Sequence, residues 1–180
     1  MIDYEAFKSI RKGAIESIGT ASDGEKIEGK WKKGVFIFIF YILPLGGTLT
    51  PWLLNVCLLK FGSFITVAIS IFTGLFFSLL LNISAKIRIE KENENIDNSN
   101  FEEYKENMKQ ISNITQYVIL LGVLIMFLIM FNYLLNFQNR IVEHIIASIV
   151  IFILTRYFSC IFFMLQRFHF VLRDEIDNVM

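Results

Sequence analysis

Four long apolar segments dominate the pattern of hydrophobic and polar positions along this 180-residue chain. They cover residues 35–59, 61–83, 117–135 and 141–165. A helix needs about 20 apolar residues to cross the ~30 Å hydrocarbon core of a bilayer, and each segment meets or nearly meets that length. The pattern predicts an all-α integral membrane protein whose four spans pack as a four-helix bundle.

The polar stretches between the spans divide the chain into five regions. We expect residues 34–85 and 116–166 to form two transmembrane hairpins, and the first of these to have a broken first span. Outside the membrane we expect an amphipathic arm with a linker at 1–33, a helical hairpin at 86–115 and a tail at 167–180.

The N-terminal arm predicts an amphipathic helix over residues 3–18. Phe7, Ile10, Ala14 and Ile18 recur at the three- and four-residue spacing of one helix face. We expect this helix to lie on the inner membrane surface, where such a face binds lipid. The alternative is that the arm docks onto another subunit or a partner protein.

Two prolines interrupt the first span. Pro44 and Pro51 each remove a backbone donor from a helix interior, and Gly46 and Gly47 lie between them. One interpretation is a single kinked helix. The interpretation we prefer ends one helix near Gly47 and starts another with Thr50 as N-cap and Pro51 at the first helical position. We expect the two prolines and two glycines to act as a hinge, at a surface turn or at the mouth of a pore.

The second span carries small and polar side chains on one side. Within about a third of the helix circumference lie Ser63, Thr66, Ser70, Thr73 and Gly74. Small residues allow two membrane helices to pack closely. Because a water-lined path uses the same residue types, the pattern leaves both interpretations open.

The fourth span contains a polar row and a charge. The row falls within about 100° of arc and consists of Arg140, His144, Ser148, Thr155, Ser159 and Gln166. Arg156 lies about 60° from that row and ~15 Å along the helix from Gln166, farther than snorkelling comfortably covers. Charges at such depth normally face a bundle interior or a cavity, and no Asp or Glu lies at that depth in the four spans. Arg156 is either a buried residue that fixes the bundle through hydrogen bonds, or a group that serves a pore or a ligand.

The segment between the second and third spans predicts a pair of helices. Its second half repeats apolar residues at helical spacing on one face, namely Phe101, Tyr104, Met108 and Ile111. We expect these residues to contact the facing helix or a neighbouring subunit. The stretch from Glu90 to Glu106 holds seven acids and two lysines, so it does not predict a nucleic-acid contact.

Positive charge lies almost entirely on one side of the spans. Of the 17 Lys and Arg residues, only Lys60 and Arg140 fall in connections on the other side, and Arg156 lies inside a span. By the positive-inside rule the arm, the helical hairpin and the tail are cytoplasmic, with both termini inside. A content of 54% hydrophobic residues with zero net charge indicates a lipid-embedded protein without bulk attraction to nucleic acid.

The residue sets of membrane enzymes are missing from the sequence. It has no HExxH, no Gly-x-Ser-x-Gly, no cysteine pair and no paired acids in the membrane, so we expect no enzyme activity, metal or cofactor. What remains is a pore, or a non-conducting membrane anchor or sensor. Because one bundle offers little interior for two polar rows, we expect a homo-oligomer around a central path gated from the cytoplasmic side.

Size, four spans, two internal termini and a charged cytoplasmic hairpin together resemble the small four-span membrane effectors of bacterial antiphage systems. These include the Hailong-type and Kiwa-type membrane subunits and effectors linked to nucleotide second messengers. The resemblance covers the whole chain and rests on topology, since no motif is matched position by position. It implies a closed oligomer in the bacterial inner membrane that opens on infection and depolarises the cell, with a cytoplasmic protein or a nucleotide as activator. The alternative is an immunity protein or anchor that acts through a partner.

Overall fold

The computed structural model describes residues 4–18, 30–54, 58–92, 98–135 and 140–179. Every regular element in these ranges is helical. One short π-helix occupies Phe38–Ile42, and the α-helices are α1 Tyr4–Ile18, α2 Lys30–Ile37, α3 Leu43–Gly47, α4 Thr50–Leu54, α5 Leu58–Glu92, α6 Asn98–Leu135 and α7 Arg140–Val179. The all-α prediction is confirmed for the described part of the chain.

Four segments are long and apolar enough to cross a membrane. They are Gly34–Leu54, Phe61–Ala85, Lys105–Leu135 and Arg140–His169. Large apolar side chains cover their outer surfaces, for example Leu53, Phe64 and Leu134, which are 77%, 76% and 73% exposed. In water such a surface is unfavourable, whereas lipid solvates it, so the four predicted spans are present as membrane-compatible helices.

The first span is broken where the prolines predict it. Helix α3 ends at Gly47, residues 48–49 form a turn, and α4 begins at Thr50. Pro51 has no N–H, so the carbonyl of Gly47 lacks its helical donor, and the Thr50 hydroxyl donates to that oxygen at 2.7 Å. The first span is therefore divided into two helices, as the preferred interpretation predicts. Thr50 is the first helical residue rather than the N-cap, so Pro51 takes the second position, and the Thr50 side chain donates to the preceding helix.

A π-helix precedes the first proline. The N–H of Leu43 donates to the carbonyl of Phe38, five residues back, instead of to a carbonyl four residues back. Pro44 follows directly and is buried. The first span thus holds two departures from regular helix, one at each proline.

The second and third spans continue beyond the membrane-compatible segments as unbroken helices. Helix α5 has 35 residues and runs to Glu92, and α6 has 38 residues and starts at Asn98. Both arms of the predicted helical hairpin are therefore helical. The predicted polar turn at residues 93–97, like the linker after α1, lies outside the described residues.

The chain forms two compact units, each described by itself. The α1 unit consists of α1, residues 76–92 of α5, 98–117 of α6 and 160–179 of α7. Its core includes Ala14, Ile18, Met108 and Ile111, none of which is more than 3% exposed. The second half of the α1 apolar face is thus buried in protein, which corrects the expectation that it lies on the membrane surface.

The other unit, the first-span unit, consists of residues 30–54, 58–75 of α5, 118–135 of α6 and 140–159 of α7. Phe40, Ile125, Val150 and Tyr157 are buried in its core. Gly62 brings α5 against α6, because a Cβ there would lie 3.1 Å from Ile129. Gly47 brings the first span against α7 in the same way, 3.3 Å from Ile151.

Candidate functional site

Arg156 lies among three aromatic rings in the first-span unit. Its guanidinium carbon is 6.0 Å from the ring centroid of Phe40, 5.8 Å from that of Tyr41 and 5.9 Å from that of Phe152. Distances of about 6 Å mark the outer range of favourable cation–π contact. We call these four residues the Arg156 cluster.

Local sequence explains why the cluster forms. Phe152 precedes Arg156 by four residues and so shares its face of α7. The π-helix supplies the other two rings, Phe40 buried and Tyr41 46% exposed. Two adjacent residues of the π-helix thus each place a ring within 6.0 Å of the same cation.

The charge of Arg156 has no acid beside it in the described part of the span. Arg156 lies 16 residues after Arg140 and 13 before His169, which is ~24 Å and ~20 Å along α7 from the two ends of the span. Its Nε is buried and reaches no hydrogen-bond partner among the described residues. Glu143, the only acid in the fourth span, is ~20 Å away along the helix.

The predicted polar row of α7 contacts the broken first span. His144 lies against the ring of Trp52, with 5.2 Å between ring centroids, and Ser148 donates to the carbonyl of Thr48 at 2.9 Å. A Cβ on Gly47 would lie 3.4 Å from the Thr155 hydroxyl. This row therefore helps to hold the helix break in place inside one subunit.

Two hydroxyls of that row bond to their own helix. Thr155 donates to the carbonyl of Ile151 at 2.8 Å, and Ser159 donates to the carbonyl of Thr155 at 2.9 Å. Such bonds satisfy a hydroxyl without water. The hydroxyls of Thr155 and Ser159 therefore need no water, which suits residues that pack against protein rather than line a pore. Nδ1 of His144, by contrast, is buried without a partner among the described residues.

The small residues of α5 divide into two faces. Gly62 and Thr73 face α6, where Thr73 lies beside Gly122. Thr66 donates to the carbonyl of Gly62 at 2.8 Å, which satisfies its hydroxyl within α5. The other face is exposed, and we call it the α5 face: Ser63, Ser70, Gly74 and Ser78. Ser70 lies at the edge of this face, since its hydroxyl donates to the carbonyl of Thr66 at 2.8 Å and lies 3.2 Å from the sulfur of Met126 in α6.

The hinge residues differ in what they contact. Pro44 and Pro51 are buried, and Gly47 lies against α7. Gly46 is exposed, and a Cβ there would meet nothing within 4 Å. Of the two glycines, only Gly47 is required by close packing.

Two of the four residues assigned to subunit contact are buried within one copy. Met108 is 3% exposed and Ile111 is fully buried, both in the α1 unit. They are therefore not available to a neighbouring subunit in this arrangement. The side chains of Phe101 and Tyr104 lie outside the described residues.

Sequence reasoning missed a buried charge in the α1 unit that bonds to two other helices. Arg167, at 9% exposure, donates from one terminal nitrogen to the side-chain oxygen of Gln110 and from the other to the carbonyl of Ser17. Ser17 lies in the last turn of α1, where backbone carbonyls lack helical donors. The side chain of Asn113 also lies 3.2 Å from where a Cβ on Gly13 would be, so α1 and α6 pack closely.

No signal in the sequence singles out Arg167 from the other inner-end cations. Its partners Gln110 and Ser17 are 57 and 150 residues away, so only the fold brings them together. Among the described residues, no group of three or more His, Cys, Asp or Glu side chains could hold a metal ion. No protein-family model, curated protein or solved structure matches the chain.

Proposed function

We propose that the chain is one subunit of a homo-oligomeric membrane channel gated from the cytoplasmic side. Arg156 carries the proposal. A guanidinium at the middle of a membrane span, whose buried Nε reaches no acceptor among the described residues, is stabilised if water or polar groups of another copy lie beside it. A path that admits water beside Arg156 provides this stabilisation, whereas lipid tails do not.

The α5 face supports assembly of several copies. The α5 face extends over ~22 Å of helix and within about 80° of arc, which is about three quarters of the ~30 Å hydrocarbon core. Residues 70, 74 and 78 follow the small-xxx-small spacing that lets two membrane helices approach closely. Packing against α5 of another copy would remove these polar side chains from lipid.

The distribution of Lys and Arg supports the proposed orientation, with both termini in the cytoplasm, whereas the bacterial inner membrane is proposed from the topological resemblance alone. In this orientation the α1 unit contains the cytoplasmic helical hairpin and the N-terminal arm. We assign gating to α1, because Arg167 holds its last turn against Gln110 and could release it. An antiphage role follows only from the topological resemblance and remains part of the proposal.

Ion flux in liposomes tests the channel. We expect purified protein to conduct, and Arg156→Leu to change conductance or selectivity, because the charge beside the path is lost. Arg140→Leu is the matched control, since it removes an exposed charge at the outer end of the same helix.

Substitutions on α5 test whether several copies assemble through the α5 face. We expect Ser70→Leu to lower the oligomer fraction and the flux together, while Phe64→Leu on another exposed side of α5 changes neither. The channel proposal is wrong if Arg156→Leu and Ser70→Leu leave conductance and selectivity unchanged. Absence of flux from the wild-type protein, with harmless overexpression, would support a non-conducting anchor or immunity protein instead.

A further inference from the structure

We infer that Arg156 is a binding site for a small monovalent anion, such as chloride, and that the channel therefore selects anions. The selectivity part of this inference rests on the proposed function, whereas anion binding can be tested without it.

The first step is the charge state. Arginine keeps its proton in proteins, so the Arg156 cluster carries a full positive charge inside the span. The faces of Phe40, Tyr41 and Phe152 are compatible with a cation, because an aromatic ring presents negative charge density at its face. Ring faces stabilise the guanidinium without neutralising it.

The second step concerns hydrogen bonds. A guanidinium has five N–H donors, and the buried Nε donor finds no acceptor among the described residues. Arg156 as a whole residue is partly exposed although Nε itself is buried, so a group from outside the cluster approaches the exposed part of the side chain rather than Nε. An anion supplies both the acceptor and the opposite charge in one partner.

The third step excludes acidic side chains and lipid phosphates as partners of the Arg156 guanidinium. The only acids in the four membrane-compatible segments are Glu106 and Glu143, and neither is at the depth of Arg156 in its own span. The polar residue Gln166 at the nearer end of the span is ~15 Å from Arg156 along α7, farther than snorkelling to a lipid phosphate comfortably covers. The same charge repels cations, as rings of basic side chains do in anion pores.

Reversal potentials in asymmetric KCl test selectivity. We expect the wild-type reversal potential to lie near that of chloride, and Arg156→Gln to lower the chloride-to-potassium permeability ratio by about tenfold or more, which corresponds to about 1.4 kcal/mol. Arg156→Lys should keep the anion preference, because it keeps the charge but loses the planar set of donors. Arg140→Gln, at the exposed outer end, should retain the wild-type ratio.

Thermal unfolding in detergent tests binding without conduction. We expect chloride or bromide to raise the unfolding temperature relative to gluconate at equal ionic strength, and Arg156→Gln to abolish that shift while Arg140→Gln keeps it.

The two measurements separate failure of the site from failure of the channel. Two results would overturn the anion site without contradicting the channel: currents with a cation preference, or a halide-induced rise in unfolding temperature that persists in Arg156→Gln. If halide raises the unfolding temperature only when Arg156 is present, and the wild-type protein carries no current, the anion site is supported and the channel is overturned. If neither a halide shift nor a current is found, both proposals fail.

Discussion

At the scale of single residues, Gly122 lies where α6 packs closely against α5. A Cβ at this position would lie 2.7 Å from the Thr73 hydroxyl, 3.2 Å from Ile69 and 3.4 Å from Tyr157. Contacts below 3 Å force neighbouring atoms to move, so glycine here serves packing rather than an unusual backbone angle. Tyr157 is fully buried at the same place. This contact therefore determines how tightly the helices of the first-span unit pack.

We expect Gly122→Ala to destabilise the protein by about 1 kcal/mol, because overpacking outweighs the gain in helix propensity. Thermal unfolding in detergent measures the change. Adding Thr73→Ala should restore most of the loss, since it removes the 2.7 Å contact. Gly34→Ala is the control, because a Cβ there meets nothing within 4 Å. Equal effects of Gly122→Ala and Gly34→Ala would contradict this account.

At the scale of elements, α1 is held by a buried charge rather than by lipid. Arg167 of α7 bonds the Gln110 side chain of α6 and the Ser17 carbonyl of α1, so one side chain joins three helices. Hydrogen bonds to charged groups contribute about 1.5–3 kcal/mol each, more than an exposed ion pair provides. The position of α1 therefore depends strongly on Arg167.

We expect Arg167→Met to increase hydrogen–deuterium exchange of the α1 amides by more than tenfold, because the methionine keeps the volume but loses both bonds. Lys12→Met is the matched control. Among the described residues Lys12 forms an exposed 3.8 Å pair with Glu16 on the same helix, so its loss should change exchange little. Unchanged α1 protection in Arg167→Met would show that apolar packing alone holds the helix.

At the scale of the whole molecule, charge distribution and span number together predict the topology. Four spans return the chain to its starting side, and the Lys- and Arg-rich segments all lie on that side. The two observations together therefore support this topology better than either one does alone.

We expect a cysteine at position 138 to react with a membrane-impermeant thiol reagent in intact cells, and a cysteine at position 95 to react only after lysis. The background is Cys57→Ser, and the buried Cys160 stays in place as an unreactive internal control. The reverse labelling pattern would invert the orientation and remove the basis for a cytoplasmic gate.

Several features of this fold follow from the sequence because they depend on local chemistry. Span length is a property of a continuous apolar segment, and the two-helix break follows from the missing N–H of Pro51. The depth of Arg156 follows in the same way from counting residues along one helix. The residue that carries the proposed function was therefore identifiable before the fold was known.

The partners of those residues could be decided only by the tertiary structure. Two polar rows looked equivalent on helical wheels, yet the α7 row contacts the first span through Ser148 and Thr48, while the α5 face stays exposed. Likewise, the apolar face of α1 suits lipid and protein equally well, and only the fold pairs Arg167 with Ser17, 150 residues away. The physical reason is that periodicity determines which residues share a face, whereas helix packing determines what that face contacts.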